Sequence, residues 1–181
     1  MNAMKKALEG RSYPIDEILP EIKATVLARP SVVLQAPPGS GKTTRTPLAL
    51  LDVMPAERGR ILMLEPRRIA AVSAARWMAR TLGEEIGGTM GYSIRFESRT
   101  SGKTRIEVVT EGILTRRIQT DPGLEGVAMV IFDEFHERSL QADLALALCL
   151  DTRRGLRKDL KILVMSATLD CGPVASLLDG A

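Results

Sequence analysis

The sequence predicts an α/β fold with a mostly parallel sheet and helices on both faces, on three observations. Apolar runs of strand length alternate with helical patterns along the 181 residues, the order that a parallel sheet with crossover helices requires. The run from Val127 to Phe132 is apolar throughout, as a central strand covered on both faces must be. Residues with chemical potential fall just after the runs, at the edge of an open α/β sheet where ligands bind.

The elements follow in order. Tyr13 to Ala28 reads as an opening helix, with Pro20 near its middle as a break or restart, because the proline ring cannot continue the backbone ladder. Ser31–Gln35 is the first strand and Lys42–Val53 the helix after a glycine-rich loop. Arg60–Leu64 is the second strand, and Arg68–Leu82 the helix that starts beyond Pro66. Gly87 to Arg99 is glycine-rich and mixed, and reads as a short strand with turns. Strand Ile106–Thr110, helix Gly112–Thr120, strand Val127–Phe132, helix Leu140–Thr152 and strand Lys161–Met165 complete the alternation. Without repeats, low-complexity tracts or a long linker, one compact domain is expected over residues 31–181, preceded by a helical segment over 1–30.

Composition narrows the function classes. Hydrophobic residues are 45% and charged residues 26%, ordinary for a soluble globular chain, while aromatics are only 3%, so the core must be aliphatic. A net charge of +3 suits a nucleic-acid partner without requiring one. The cations are grouped: Arg67-Arg68, Arg95 with Arg99, and Arg116-Arg117. Arg153, Arg154, Arg157 and Lys158 read instead as a solvated helix end, where cations suit the helix dipole. Cys149 and Cys171 have no metal-ligand spacing and are expected to be reduced thiols. No secretory pattern opens the chain and no apolar run is long enough to span a bilayer, so no membrane role and a cytoplasmic location are expected.

Ala36-Pro37-Pro38-Gly39-Ser40-Gly41-Lys42-Thr43-Thr44 carries the strongest signal. Strand, glycine-rich loop, Lys-Thr and helix is the arrangement of a phosphate-binding loop, here with alanine at the usual first glycine. Glycines let successive backbone N–H groups turn around an anion, and the helix adds its positive end. Residues Pro38 to Thr44 are therefore expected to cradle a nucleoside triphosphate, with Lys42 on its β- and γ-phosphates and the Thr43 hydroxyl on Mg²⁺. Asp133 and Glu134 end the apolar strand Val127–Phe132. Asp133 is placed to hold the same Mg²⁺, and Glu134 to polarise the attacking water for in-line phosphoryl transfer. His136, the single histidine, lies two residues beyond Glu134 and is read as a relay of nucleotide state.

Asp133-Glu134-Phe135-His136-Glu137-Arg138-Ser139 resembles motif II of the DEAH-type superfamily 2 helicases, with phenylalanine in place of the usual alanine. Among them the HrpB-type bacterial helicases carry D-E-F-H, and Gln35-Ala36-Pro37-Pro38-Gly39 is similar to their P-loop. Leu64-Glu65-Pro66-Arg67-Arg68 is similar to motif Ia, Gly91-Tyr92-Ser93-Ile94-Arg95-Phe96-Glu97 to the segment after it, Thr110-Glu111-Gly112-Ile113-Leu114 to motif Ib, and Ser166-Ala167-Thr168 to motif III. The resemblance covers nearly the whole chain. It implies a RecA-like P-loop NTPase fold, with ATP and Mg²⁺ as cofactors. It implies that Arg67, Arg68, Arg95 and Thr110 grip the backbone of single-stranded RNA or DNA, consistent with arginine forks binding phosphates without reading sequence. Ser166 and Thr168 would couple nucleotide state to strand movement; the alternative is a plain loop and helix cap leading into Leu169-Asp170. A second RecA-like domain with the arginine fingers would belong to the same longer protein, this chain being its first motor domain.

Trp77 stands where the family commonly has an arginine stacked on the nucleotide base. It is either a base platform or an anchor for an aromatic-poor core. Two other function classes compete with a helicase or translocase. A P-loop ATPase with a client other than nucleic acid accounts for Lys42, Asp133 and Glu134 but not for Arg67, Arg68, Arg95 and the S-A-T segment together. A non-catalytic nucleic-acid-binding module does not account for the intact Lys42, Thr43, Asp133 and Glu134.

Overall fold

The computed structural model describes residues 12–168 and 171–178. The expectations placed on residues 1–11 of the opening segment, on Leu169-Asp170 and on the Cys171 thiol lie outside the described residues. Seven strands form one sheet: β1 (Ser31–Gln35), β2 (Arg60–Leu64), β3 (Met90–Ile94), β4 (Glu97–Arg99), β5 (Ile106–Val109), β6 (Val127–Phe132) and β7 (Lys161–Ser166). Their spatial order is β1-β7-β6-β2-β5-β3-β4. Every neighbouring pair is parallel except β3 with β4. The helices are α1 (Leu19–Ala28), α2 (Lys42–Leu50), α3 (Arg68–Thr81), α4 (Glu111–Thr120), α5 (Leu140–Gly155) and α6 (Cys171–Leu177).

Strand side chains alternate between two cores, as the pleat demands. Ile61, Met63, Ile131, Leu163 and Met165 face one core with Leu48 of α2 and Ala75 and Met78 of α3. Leu62, Leu64, Val130, Phe132 and Val164 face the other with Leu114 of α4 and Leu146 and Leu150 of α5. Helices thus cover both faces. β6 is buried along its whole length, which is why its sequence shows no alternation. The cores are aliphatic apart from Tyr92, Phe132 and Phe135.

Several boundaries differ from expectation for identifiable reasons. Tyr13 to Ala28 is not one helix: Pro14–Ile18 forms a 3₁₀ turn, and the helix restarts at Pro20 as expected, in the first turn of α1, where its missing N–H costs nothing. The Gly87–Arg99 segment holds two strands, of which β3 is buried and pairs parallel with β5. Thr110 leaves the strand to become the N-cap of α4. The basic end of α5 is not wholly solvated. Arg153 is buried and donates to Ser31 Oγ at 2.6 Å, and Arg157 donates to the carbonyls of Gly123, Leu124 and Val127. Gly59 is required by close approach. At φ +115° it lies where an added Cβ would come within 2.3 Å of the Gly126 carbonyl oxygen, and that oxygen accepts from Arg60 N–H. No helix among the described residues is long and apolar enough to cross a membrane.

Candidate functional site

The parallel sheet turns the sequence motifs into a row. The loops after β1, β7 and β6 lie side by side, followed by those after β2, β5 and β3. The expected nucleotide and coupling residues other than Trp77, which lies on α3, occupy the first group, the expected strand contacts the second.

After β1, Ala36 N–H donates to Ser166 O at 3.0 Å, tying the loop to β7. Gly39 and Gly41 take φ of +77° and +93°, a conformation that side chains other than glycine rarely adopt. Gly41 is the N-cap of α2, so the loop opens on a helix terminus whose first N–H groups have no intrahelical partner. Lys42 is buried, and its Nζ lies 3.1 Å from Glu134 Oε1. The Ser40 hydroxyl is buried without a hydrogen-bond partner. A brace that sequence reasoning missed supports the loop from the N-terminal side. Ile15 N–H donates to Ser40 O, while Asp16 accepts two 2.8 Å bonds from the buried Arg45 guanidinium and one from Tyr13 N–H. Tyr13 abuts Gly41, lies 5.5 Å from the Arg45 guanidinium, and meets Trp77 edge-on at 6.3 Å. Trp77 is half-buried and packs against the first core.

After β6, Asp133 is buried and its N–H donates to Leu64 O. One carboxylate oxygen accepts from Glu134 N–H; the other is buried with no partner. Burial pushes its pKa up to about 6, helped by the Glu134 charge and opposed by the nearby Thr43 hydroxyl, the Glu134 N–H and the Lys42 amine. Glu134 takes a left-handed backbone (φ 49°, ψ 36°) that starts the 3₁₀ turn Phe135–Glu137. That turn sets its carboxylate between Lys42 and His136 Nε2, the latter at 3.2 Å. His136 Nδ1 accepts from Ala167 N–H at 3.3 Å. Nδ1 therefore carries no proton, and the remaining ring proton is on Nε2, facing Glu134. The segment Ser166–Thr168 thus reaches the Glu134 carboxylate through the Ala167 N–H and His136; Ser166 is buried and Thr168 exposed.

The donor set fits a magnesium-bound triphosphate. No cluster of three or more His, Cys, Asp or Glu among the described residues is arranged to hold a metal alone. Magnesium is commonly held by one or two protein oxygens together with substrate phosphates. Thr43 and the orphaned oxygen of Asp133 offer oxygens of that kind, beside a buried amine and the glycine-rich loop.

After β2, Arg67 and Arg68 are exposed and border an open groove of about 800 Å³ that also includes Ile69, Val72 and Ile94. Arg68 donates to Arg95 O at 3.2 Å, and the Arg95 guanidinium lies 4.7 Å from the exposed Phe96 ring. Arg67 Nη2 is 3.1 Å from Glu137 Oε1. Thr110, after β5, is half-buried. The structure therefore brings Arg67, Arg68 and Arg95 onto one stretch of surface, with Thr110 just beyond the end of β5, the strand between β2 and β3. Unforeseen is Glu65, 2% exposed with Oε1 unpartnered. Burial and the charges of Asp133, Glu134 and Glu137 push its pKa up to about 8, against the pull of Arg67. Unforeseen too is the 2.5 Å bond from the Ser139 hydroxyl to Glu111, which joins the loop after β6 to α4. A carboxylate so close to Asp133-Glu134 in sequence-distant segments leaves no spacing signal to read.

Comparison with known proteins gives consistent results. Residues 16–177 match the DEAD/DEAH box helicase family. The chain is 53% identical over 170 residues to the ATP-dependent RNA helicase HrpB of Escherichia coli K12, covering 94% of this chain and 21% of that protein. It is 42% identical over 139 residues to the ATP-dependent RNA helicase HrpA of Borreliella burgdorferi B31, covering 77% of this chain and 17% of that protein. Two crystal structures of the E. coli protein, described as a DEAH/RHA helicase and as a DExH-box NTPase, superpose with TM-scores of 0.88 at 53% identity. They cover 94% and 93% of this chain, and 22% and 21% of theirs. The chain thus spans about a fifth of the length of these relatives.

Proposed function

The chain belongs to the DEAD/DEAH box helicase family, and from that premise we propose that it is the ATP-binding motor domain of a longer helicase or translocase acting on single-stranded nucleic acid, most readily RNA. The observation that carries the reading is the continuous polar line Lys42–Glu134–His136–Ala167, from the phosphate-binding loop through the hydrolytic carboxylate to the coupling segment. The RNA assignment is supported by the activity in the names of the relatives, HrpB and HrpA. Their greater length supports a second RecA-like domain in the same protein, completing the site across from residues 31–181. The expected setting is the cytoplasm.

Residues Pro38 to Thr44 would wrap the phosphates, and Thr43 and Asp133 would hold Mg²⁺. When bound, Mg²⁺ supplies neutralisation of the charge that builds on the transferred phosphoryl group. Lys42, now facing Glu134, would turn its charge to the β- and γ-phosphates, freeing the Glu134 carboxylate to accept the proton of the attacking water. His136, held by the Ala167 N–H, orients Glu134 from the other side. Trp77, linked to the loop through Tyr13 and packed on the first core, is either the base platform or an anchor of that core. Arg67, Arg68, Arg95 and Thr110 would grip strand phosphates, and Ser166-Thr168 would report nucleotide state to them.

The test is steady-state ATP hydrolysis by the full-length protein alone, with oligouridine, and with oligothymidine. Stimulation by at least one polymer is expected, and the larger effect identifies the substrate. A rate indifferent to both polymers would leave a P-loop ATPase of another client.

A further inference from the structure

Arg67, assigned above to the strand, already holds a carboxylate. Its guanidinium is 3.1 Å from Glu137, and the two side chains are 66% and 36% exposed. Carboxylate and phosphate oxygens offer a guanidinium fork the same paired geometry, so Glu137 and a strand phosphate compete for one site. Glu137 closes the 3₁₀ turn that also carries His136, and its N–H donates to Glu134 O at 2.9 Å. From that turn His136 touches Glu134, and Glu134 touches Lys42. Arg67 is also the cation opposing the combined field of Asp133, Glu134 and Glu137 at Glu65.

We propose that Glu137 is a positioning residue that stands in for a strand phosphate on Arg67, and that its displacement by a bound strand resets the turn holding His136 and Glu134. The proposal rests on the strand-binding reading of Arg67. An exposed ion pair is weak enough for a phosphate to replace it, where a buried pair would not yield. Once displaced, Glu137 loses its neutralising partner and is repelled by Asp133 and Glu134. The Ser139–Glu111 bond pins the far end of the loop, so the rearrangement is confined to residues 134–138. Strand binding would thereby reach the hydrolytic carboxylate without passing through the second domain.

The experiment compares full-length wild type, Glu137→Gln, Arg67→Ala and the double variant by fluorescence anisotropy with labelled oligouridine and oligothymidine, and by ATP hydrolysis with and without each. Glu137→Gln should bind strand up to about five-fold more tightly, the range open to an exposed ion pair. Its strand-free hydrolysis should move toward the stimulated rate, shrinking the stimulation ratio. In the Arg67→Ala background the same change should leave affinity unaltered. Wild type that binds neither oligonucleotide would overturn the nucleic-acid reading and this inference with it. Wild type that binds while Glu137→Gln binds no more tightly, or gains equally without Arg67, would overturn this inference alone.

Discussion

Glu65→Gln should make the protein more stable at neutral pH, although it alters a buried residue beside the site. Glu65 is 2% exposed, one of its oxygens has no partner, and its pKa rises from 4.5 to about 8 in the folded chain. The sign follows from proton counting. Between those two values the folded state holds a proton that the unfolded state releases, so stability is complete at low pH and falls as pH rises toward about 8. Each unit costs about 1.4 kcal/mol, so at about pH 7 the carboxyl has lost roughly 3 kcal/mol. Glutamine keeps the shape and polarity of the neutral acid and cannot ionise. The variant should therefore gain up to about 3 kcal/mol at about pH 7, on the order of 10 °C in Tm for a chain of this size. Asp133, raised to about 6, contributes a slope of the same sign at lower pH, so the informative window runs from about 6 to about 8. Urea and thermal melts without nucleotide or Mg²⁺ across that window measure it. Wild type and variant losing stability in parallel there would refute the buried, neutral carboxyl.

Asp16→Ala should destabilise by about 1.5–3 kcal/mol, because it removes two charge-assisted hydrogen bonds from the buried Arg45 guanidinium. Asp16→Ala/Arg45→Met should recover part of that loss, and urea melts showing additive losses would contradict the pairing. Burial raises the Asp16 pKa, but the Arg45 bonds, Tyr13 N–H and the Arg45 charge outweigh it and hold the pKa below 3.8, so this contribution should vanish only as pH falls through that lowered value. Gly59→Ala should cost more than about 1 kcal/mol, since its Cβ would meet the Gly126 carbonyl and its φ is positive; an unchanged denaturation midpoint would refute the close approach. If Trp77 is the base platform, ADP should change its fluorescence and pyrophosphate should not, while equal responses would leave it as a core residue packed on Tyr13.

Most of the fold was legible because burial leaves its mark on local sequence. Val127–Phe132 and Ile61–Leu64 are apolar throughout because both faces of their strands are covered. β3 was only half legible, since Gly91, Ser93 and the hairpin to β4 interrupt the apolar run, and Ser93 is satisfied by Glu107 in a way no local pattern encodes. The restart at Pro20 was legible, but the 3₁₀ turn before it was not, because a proline in a first turn and one in mid-helix look alike in the sequence. At the candidate site, the glycines, Lys42, Asp133 and Glu134 carry their spacing in one segment each, so they could be named in advance. The setting of Glu65 and the Arg67–Glu137 pair exist only once β2 and β6 are neighbours, and the Asp16–Arg45 brace only once the N-terminal 3₁₀ turn packs on α2. Arg153 shows the converse, a residue that looked solvated until β1 supplied Ser31 as its partner.

The central claim is that Glu134 carries hydrolysis while the glycine-rich loop and Lys42 carry nucleotide binding. It is tested most directly by ATP binding and steady-state turnover in full-length Glu134→Gln. The amide keeps the size of the side chain and loses the charge that accepts the water's proton. Magnesium-dependent ATP binding should be at least as tight as wild type, because Lys42 no longer faces a carboxylate 3.1 Å away. Turnover should fall by a factor of about 10²–10⁴, the usual contribution of a positioned general base. Turnover at the wild-type rate with ATP binding intact would remove Glu134 from the reaction and contradict the account.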